Sequence, residues 1–208
     1  NNFAATFFPD VHINDTTNDQ IVQVPASVAA LSVFGFNDRE QHPWFAPAGF
    51  NRGSLNFVRA LDVRLNSNDR DVLYDARINP IASFPRAGFV MFGQKTLQKA
   101  KSALDRINVR RLMVEIKRQI VIEAEGLLFE PNTAITRGKF IANVTRILAG
   151  IQAAFGIERF NIVMDDTNNS REDVLANRLN GRIVVVPTRA VEFIAVDFII
   201  TNDGVEFV

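Results

Sequence analysis

The strongest pattern in the sequence lies in residues 101–129, where apolar side chains recur at intervals of three and four. This spacing lines them up along one side of a helix. They are Val109, Leu112, Met113, Ile116, Ile120, Ala124 and Leu127. The other side carries Arg110, Arg111, Lys117, Arg118 and Glu125. We therefore predict a long amphipathic helix whose apolar side packs in a core and whose charged side is solvated or lies at an interface.

A second long helix is predicted from about Thr136 to Gly156 by the same spacing. Shorter helices are expected after Pro25, after a cap at Asn68 or Asp69, and before about Asn177. Short apolar runs between the helices predict strands at 55–65, 89–92, 160–164, 182–186 and 191–200, with a last strand at 205–208. Strands that alternate with helices predict a single α/β (α+β) domain over residues 1–208. Its central mixed β-sheet would be flanked by two long helices and shorter ones.

Composition limits the kinds of partner that the chain can have. Of 208 residues, 47% are hydrophobic, which is enough to bury a sizeable core. Lys plus Arg and Asp plus Glu number 23 each. A neutral chain has no broad positive field, so we expect no nucleic-acid partner. No apolar run reaches the roughly 20 residues that span a bilayer, so we expect no membrane insertion. The chain has no cysteine, which excludes disulfides and thiolate metal sites.

Two segments have features of reactive sites. Residues 88–96, GFVMFGQKT, resemble a phosphate-binding loop, but a Gln separates the glycine from the lysine and bulky apolar residues lie between the glycines. We therefore expect no nucleotide and no other cofactor. Asp165 and Asp166 follow a predicted strand, where catalytic or metal-binding carboxylates often lie in α/β sheets. The same two residues also suit a turn before the next helix, and no base partner or nucleophile accompanies them. An enzyme that uses them is the less favoured alternative.

Two further segments leave alternatives open. In 191–200, the side chains of Ile194, Val196, Phe198 and Ile200 fall on one face of a strand, while Glu192 and Asp197 mark the other face. Such a strand is either central in a sheet or is completed by another chain. The long loop 42–53, with the only Trp of the chain, either braces the domain or meets a neighbour.

A series of motifs appears in a particular order along the chain. They are WFAPAGFNRG at 44–53, RDVLYDA at 70–76, INPI at 78–81, FGQKT at 92–96, DRINVRRL at 105–112, FEPN at 129–132 and DTNN at 166–169. In this order and spacing, the series resembles the C-terminal domain of contractile tail sheath proteins of T-even-type bacteriophages. The likeness covers essentially the whole chain, although no single motif is specific.

The resemblance implies a structural protein of the virion and no enzymatic activity. Sheath subunits form hexameric rings that stack around a tail tube, with the C-terminal domain as the inner, conserved layer. The implied partners are other sheath subunits, the tail tube protein, and the baseplate and tail terminator proteins. Assembly would occur in the host cytoplasm, and contraction would drive the tube through the host envelope. The chain, which begins at Asn1 without an initiator Met, is then expected to be a fragment of a longer polypeptide.

Two contact elements follow as expectations from this resemblance. The inter-subunit strand would carry Val191, Phe193, Ile194, Val196, Phe198 and Ile200. The polar side of the second helix, with Arg137, Lys139 and Arg146, is the candidate tube-facing surface. A sheath from a tailocin or a type VI secretion system is the alternative within the same class of machine.

Overall fold

The computed structural model describes residues 1–192 in full and, beyond them, the backbone of 198–201 and 204–207. The helices are α1 (Ala26–Glu40), α2 (Ser67–Asp75), α3 (Ile107–Glu125), α4 (Ala134–Ala153) and α5 (Arg171–Leu175), with a 3-10 turn at Ala103–Asp105. The strands are β1 (Thr6–Phe8), β2 (Val11–Asp15), β3 (Gln20–Val24), β4 (Val58–Leu61), β5 (Ile78–Phe84), β6 (Gly88–Met91), β7 (Ile157–Val163), β8 (Arg182–Pro187), β9 (Phe198–Thr201) and β10 (Gly204–Phe207).

The mixed α/β class is confirmed, and its strands are divided among small sheets. The sheet β1-β5-β6 is mixed, because β1 runs parallel and β6 antiparallel to β5. The sheet β3-β2-β4 and the pairs β7-β8 and β9-β10 are antiparallel. The expected central sheet is thus replaced, within the described residues, by four short ones. Strands of three to seven residues, grouped around two separate apolar clusters, account for this division.

The first apolar cluster lies under α1. Alanines and Val33 on the buried side of this helix meet side chains of β2, β5 and β6 and of the segment before β4. The helix continues to Glu40, beyond its last apolar residue, because Asn37 is buried and ties the helix to the following loop. Its Nδ2 donates hydrogen bonds of 3.1 Å to the carbonyl oxygens of His42 and Phe45. A buried polar residue therefore stabilises the last turn of α1.

The second apolar cluster lies between α3, α4 and the sheet β7-β8. Leu112 and Ile116 of α3 pack against a stripe of α4 and against Ile157 of β7. The stripe on α4 is Phe140, Val144, Leu148 and Ile151. Both predicted long helices are confirmed, and each buries the middle of the side that its 3.6-residue spacing indicates, whereas Ala124 near the end of α3 is exposed. Thr133 caps α4 by accepting a hydrogen bond from the backbone N–H of Thr136.

Strand β5 holds Asn79 in the extended geometry that a following proline favours. Pro80 lies within this strand and has no N–H to donate to its neighbour. The Asn79 side chain makes hydrogen bonds that join the strand to the segments on either side. Its Nδ2 donates to the carbonyl oxygens of Thr6 (3.0 Å) and Lys95 (2.8 Å), and its Oδ1 accepts from the Lys95 N–H (2.6 Å). Asn79 is fully buried, so these bonds stabilise the centre of the mixed sheet.

Among the described residues, no helix is both long and apolar enough to cross a membrane.

Candidate inter-subunit arm and its anchor

The predicted C-terminal strand is only partly described. Val191 is 79% exposed and does not lie in a strand, while Phe193, Ile194 and Val196 fall outside the described residues. Phe198 and Ile200 lie in β9, which pairs antiparallel with β10. The predicted final strand is therefore confirmed in the described backbone of β10. Whether 191–200 joins another chain stays a prediction. We call residues 193–208 the C-terminal arm.

The residue just before the arm is held by three side chains from separate parts of the fold. The Glu192 carboxylate accepts two hydrogen bonds from Arg106, from Nε to Oε1 at 2.6 Å and from Nη2 to Oε2 at 2.8 Å. The Tyr74 hydroxyl donates to Oε2, and the Gln94 amide donates to Oε1 at 3.2 Å. We call Tyr74, Gln94, Arg106 and Glu192 the Glu192 anchor. Such a bidentate, charge-assisted pair is among the stronger hydrogen-bonded arrangements in proteins.

The anchor rests on paired backbone segments. Gln94 and Arg106 lie on two extended segments that pair through a bridge between Lys95 and Arg106. The Ile107 N–H donates to the Gln94 carbonyl oxygen at 2.8 Å, and the Thr96 N–H donates to that of Asp105 at 3.0 Å. Because Asn79 also holds the Lys95 backbone, the segments that carry Gln94 and Arg106 are tied to the mixed sheet.

Further charges surround the anchor and orient its members. The Asp105 carboxylate lies 3.1 Å from Nη1 of Arg106 and 3.7 Å from Nη1 of Arg77. The Lys95 ammonium donates to the Tyr74 carbonyl oxygen at 2.7 Å and lies 3.2 Å from the centre of the Tyr74 ring. These contacts hold Tyr74 and Arg106 in the positions from which both reach Glu192.

The pKa values of the cluster follow from burial and from these contacts. Burial, followed by the hydrogen bond to Glu192, raises the pKa of Tyr74 and keeps its hydroxyl protonated as a donor. For Glu192, burial opposes ionisation, yet hydrogen bonds from Arg106 and Tyr74 hold its pKa below the ordinary value. Burial and the nearby charges of Arg106 and Arg77 lower the pKa of Lys95. Glu192 is thus bound as a carboxylate.

The three candidate tube-facing residues have different surroundings. Lys139 and Arg146 are exposed on α4. Arg137 is only 12% exposed, and its guanidinium lies 2.8 Å from the Asp166 carboxylate and 3.2 Å from Asn132. Arg137 therefore has a structural contact that joins α4 to the turn after β7, whereas the other two side chains present their charges to the surroundings.

The carboxylates considered for catalysis are held in local contacts. The Oδ1 atom of Asp165 accepts hydrogen bonds from the backbone N–H (2.9 Å) and hydroxyl (2.5 Å) of Thr167, which are turn contacts. Asp166 pairs with Arg137. In the described part of the chain, no group of three or more His, Cys, Asp or Glu could hold a metal ion.

The loop 42–53 makes contacts that brace the domain, and whether it also meets a neighbour stays a prediction. Trp44 is buried in the second apolar cluster, and His42 stacks on its ring at 4.4 Å. The other end of the loop pairs with β6, because the Met91 N–H donates to the Gly53 carbonyl oxygen at 2.8 Å and the Gly49 N–H donates to the Met91 carbonyl oxygen at 2.9 Å. A Cβ atom on Gly53 would lie 2.4 Å from the Met91 carbonyl oxygen, so only glycine fits there.

Sequence reasoning missed the anchor, although three of its members lie in motifs that were noticed. Tyr74 lies in RDVLYDA, Gln94 in FGQKT and Arg106 in DRINVRRL. Glu192 was seen only as a mark of the polar face of a strand. The signal that could have linked them is chemical: an acidic residue beside an apolar arm requires a partner if it is buried.

Comparison with known proteins gives the same class of protein. Residues 99–201 match the family model for the phage tail sheath C-terminal domain. The chain is 37% identical over 193 residues to the tail sheath protein of Vibrio phage KVP40 and 33% identical over 193 residues to that of Enterobacteria phage T4. Each match covers 93% of this chain and 29% of the relative, so the chain spans less than a third of these relatives. The resemblance to the C-terminal domain of phage tail sheath proteins, which the motifs indicate, is thus confirmed.

Solved structures agree on the fold. The sheath complex of an extracellular contractile injection system (PVC) in its contracted state matches with a TM-score of 0.86 at 21% identity, over 98% of this chain and 57% of that one. The contracted helical sheath of the anti-feeding prophage matches with a TM-score of 0.82 at 24% identity, over 94% and 55%.

Proposed function

We propose that residues 1–208 form the inner C-terminal domain of a subunit of a contractile phage tail sheath. The subunits polymerise around the tail tube and contract to drive the tube through the host envelope. The carrying observation is the identity of 33–37% to two phage tail sheath proteins over 93% of the chain. The fold shared with sheaths of contractile injection systems supports the same role.

The proposed partners follow from this role. They are further sheath subunits in stacked hexameric rings, the tube protein, and the baseplate and tail terminator proteins, in a tail assembled in the host cytoplasm. No reaction is required of the domain, because the free energy of contraction would be stored in the extended lattice. The relatives are named as sheath proteins. Asp165 and Asp166 have structural roles in this domain, because both carboxylates are held in local contacts.

The C-terminal arm is the proposed link between subunits. Within the described backbone, β9 and β10 form a sheet of two strands. A two-stranded sheet is marginally stable in water and is stabilised when further strands or a packing surface are added. Strand addition from a neighbouring subunit supplies both backbone hydrogen bonds and burial for the alternating apolar side chains of the arm.

Assembly of the full-length polypeptide tests the proposal. Expressed without other tail proteins, it should form hollow tubes visible by electron microscopy. A variant that ends at Phe193 should stay folded and fail to form tubes. Absence of tubes from the intact protein, under conditions where T4-type sheath proteins polymerise, would count against the function. Normal tubes from the truncated variant would count against the arm.

A tailocin or type VI secretion sheath is the second candidate, favoured by the shared fold with injection-system sheaths. Their identity of 21–24% is below the 33–37% seen for phage sheath proteins, so the phage tail is preferred. Neighbouring genes decide between them: capsid and portal genes beside the sheath gene indicate a phage, and their absence from an otherwise complete tail cluster indicates an injection device.

A further inference from the structure

The Glu192 anchor lies directly before the start of the C-terminal arm. Glu192 directly precedes the C-terminal arm, and its carboxylate is fixed from three directions. The side chain of Glu192 is 18% exposed and that of Arg106 is 26% exposed, so both charges are largely withdrawn from water. Removing one partner would leave the other charge poorly compensated.

We infer that the Glu192 anchor is a positioning device that fixes where the C-terminal arm leaves the domain and thereby sets how efficiently subunits join. This inference rests on the proposed sheath function. The arm can join a neighbour only if its strand lies where the neighbour can pair with it. When the residue at the start of the arm is fixed, less conformational entropy is lost on joining. Tyr74, Gln94 and Arg106 are thus positioning residues for a contact made elsewhere.

The rigidity of the support favours this role. Arg106 begins α3, and Gln94 follows β6, so the anchor connects the arm to the helix of the second cluster and to the mixed sheet. A pull on the arm would be transmitted through Glu192 to both, because the two supporting segments are hydrogen-bonded to each other. A surface ion pair between two side chains of one helix has no such connection.

The chain provides a matched control of that kind. Glu115 and Arg118 form a bidentate pair within α3, from Nε to Oε2 at 2.9 Å and from Nη2 to Oε1 at 2.7 Å. The chemistry is the same, but Arg118 is 59% exposed and neither residue adjoins the arm. The variants Glu192→Gln and Glu115→Gln therefore remove the same charge from an Arg pair at two different places.

Two measurements on the full-length polypeptide test the inference. The first is the rate of trypsin cleavage after the exposed Arg189, which lies three residues before Glu192. The second is the critical concentration for tube formation. E192Q should raise the cleavage rate and the critical concentration by about tenfold or more each, which is the effect of losing a hydrogen bond to a charged group. E115Q should leave both near the wild-type values. Arg106→Lys should resemble E192Q, and the double variant should be no worse than either single one.

The outcomes separate the inference from the proposed function. If the wild-type protein forms no tubes, the proposed sheath function is wrong. The cleavage rate alone then reports whether the anchor fixes the start of the arm. If tubes form and E192Q matches E115Q in both measurements, the inference is overturned. It is also overturned if E192Q is cleaved faster but polymerises at the wild-type concentration, because the anchor would then have no effect on joining.

Discussion

The indole nitrogen of Trp44 donates a hydrogen bond of 2.9 Å to the carbonyl oxygen of Ala154, 110 residues further along the chain. Ala154 is the C-cap of α4, where carbonyl oxygens have no partner within the helix. Asn108, near the start of α3, donates from its side chain to the Trp44 carbonyl oxygen at 3.3 Å. One residue of a loop thus joins the beginning of one long helix to the end of the other.

Substitution of Trp44 should therefore destabilise the domain strongly. We expect Trp44→Ala to lower the free energy of unfolding by about 3–5 kcal/mol, because it removes a large buried ring and a hydrogen bond. Trp44→Phe should cost roughly 1–3 kcal/mol, since it keeps much of the ring volume and leaves the Ala154 oxygen unpaired. Urea unfolding followed by circular dichroism measures both. Phe50→Ala, at an exposed ring of the same loop, is the control, and an equal loss there would contradict the prediction.

Replacement of Asn79 by Asp should destabilise the mixed sheet. The change preserves the shape but removes the two hydrogen bonds that the amide donates to Thr6 and Lys95, and it places a carboxylate in a fully buried site. We expect a loss of about 3 kcal/mol or more in the free energy of unfolding. Asn161→Asp, at an exposed position of β7, should change it by less than about 0.5 kcal/mol. Similar losses at both sites would show that the Asn79 contacts contribute little.

Acid should weaken the Glu192 anchor. The pKa of Glu192 in the folded domain is lower than its ordinary value of 4.5. The anchor's contribution to stability is therefore fully present above pH 4.5 and is lost as the pH falls through the lower folded value. We expect wild-type protein to exceed E192Q by about 1.5–3 kcal/mol near neutral pH, and the difference to shrink on acidification. Urea unfolding of both proteins across this range measures it, and a difference that does not change with pH would contradict the assigned pKa direction.

Charge reversal at exposed positions of α4 should weaken attachment of the sheath to the tail tube without changing the stability of the domain. Lys139→Glu and Arg146→Glu change exposed side chains, so we expect little change in the melting temperature and weaker co-sedimentation of sheath with tail tubes. Arg137→Glu should instead lower the melting temperature, because it places two carboxylates together at the contact with Asp166. Lys117→Glu, an exposed reversal on α3, is the control. Unchanged attachment in the double variant of Lys139 and Arg146 would remove this surface from consideration.

Helices were predictable from the sequence because their signal is local. The three- and four-residue spacing of Leu112 and Ile116 in α3, or of Val144 and Leu148 in α4, is visible in a short window and specifies which side is buried. The antiparallel pairing of β9 with β10 was likewise indicated locally, because Asn202, Asp203 and Gly204 form a sequence that favours a tight reversal.

Contacts between distant residues could not be predicted in this way. Pro80 leaves either an extended or a turn geometry open at Asn79, and the strand seen there is stabilised by side-chain hydrogen bonds from Asn79 to distant residues. The partners Arg106 and Glu192 are 86 residues apart, and no periodicity links them. Arg137 likewise looked like a free surface charge, because its partner Asp166 lies beyond the end of its own helix. The prediction of one central sheet was wrong for the same reason, since the pairing of strands depends on tertiary packing.

The anchored root also limits distance. Six residue steps separate Glu192 from Phe198, the first residue of β9, and an extended chain advances at most about 3.6 Å per residue. While Glu192 stays bound to Arg106, the start of β9 must lie within roughly 20 Å of it. If the arm joins neighbours as proposed, the connection between two subunits has a maximum length. No rearrangement of the lattice can move the joined strand farther than this from Arg106 unless the ion pair between Arg106 and Glu192 first opens.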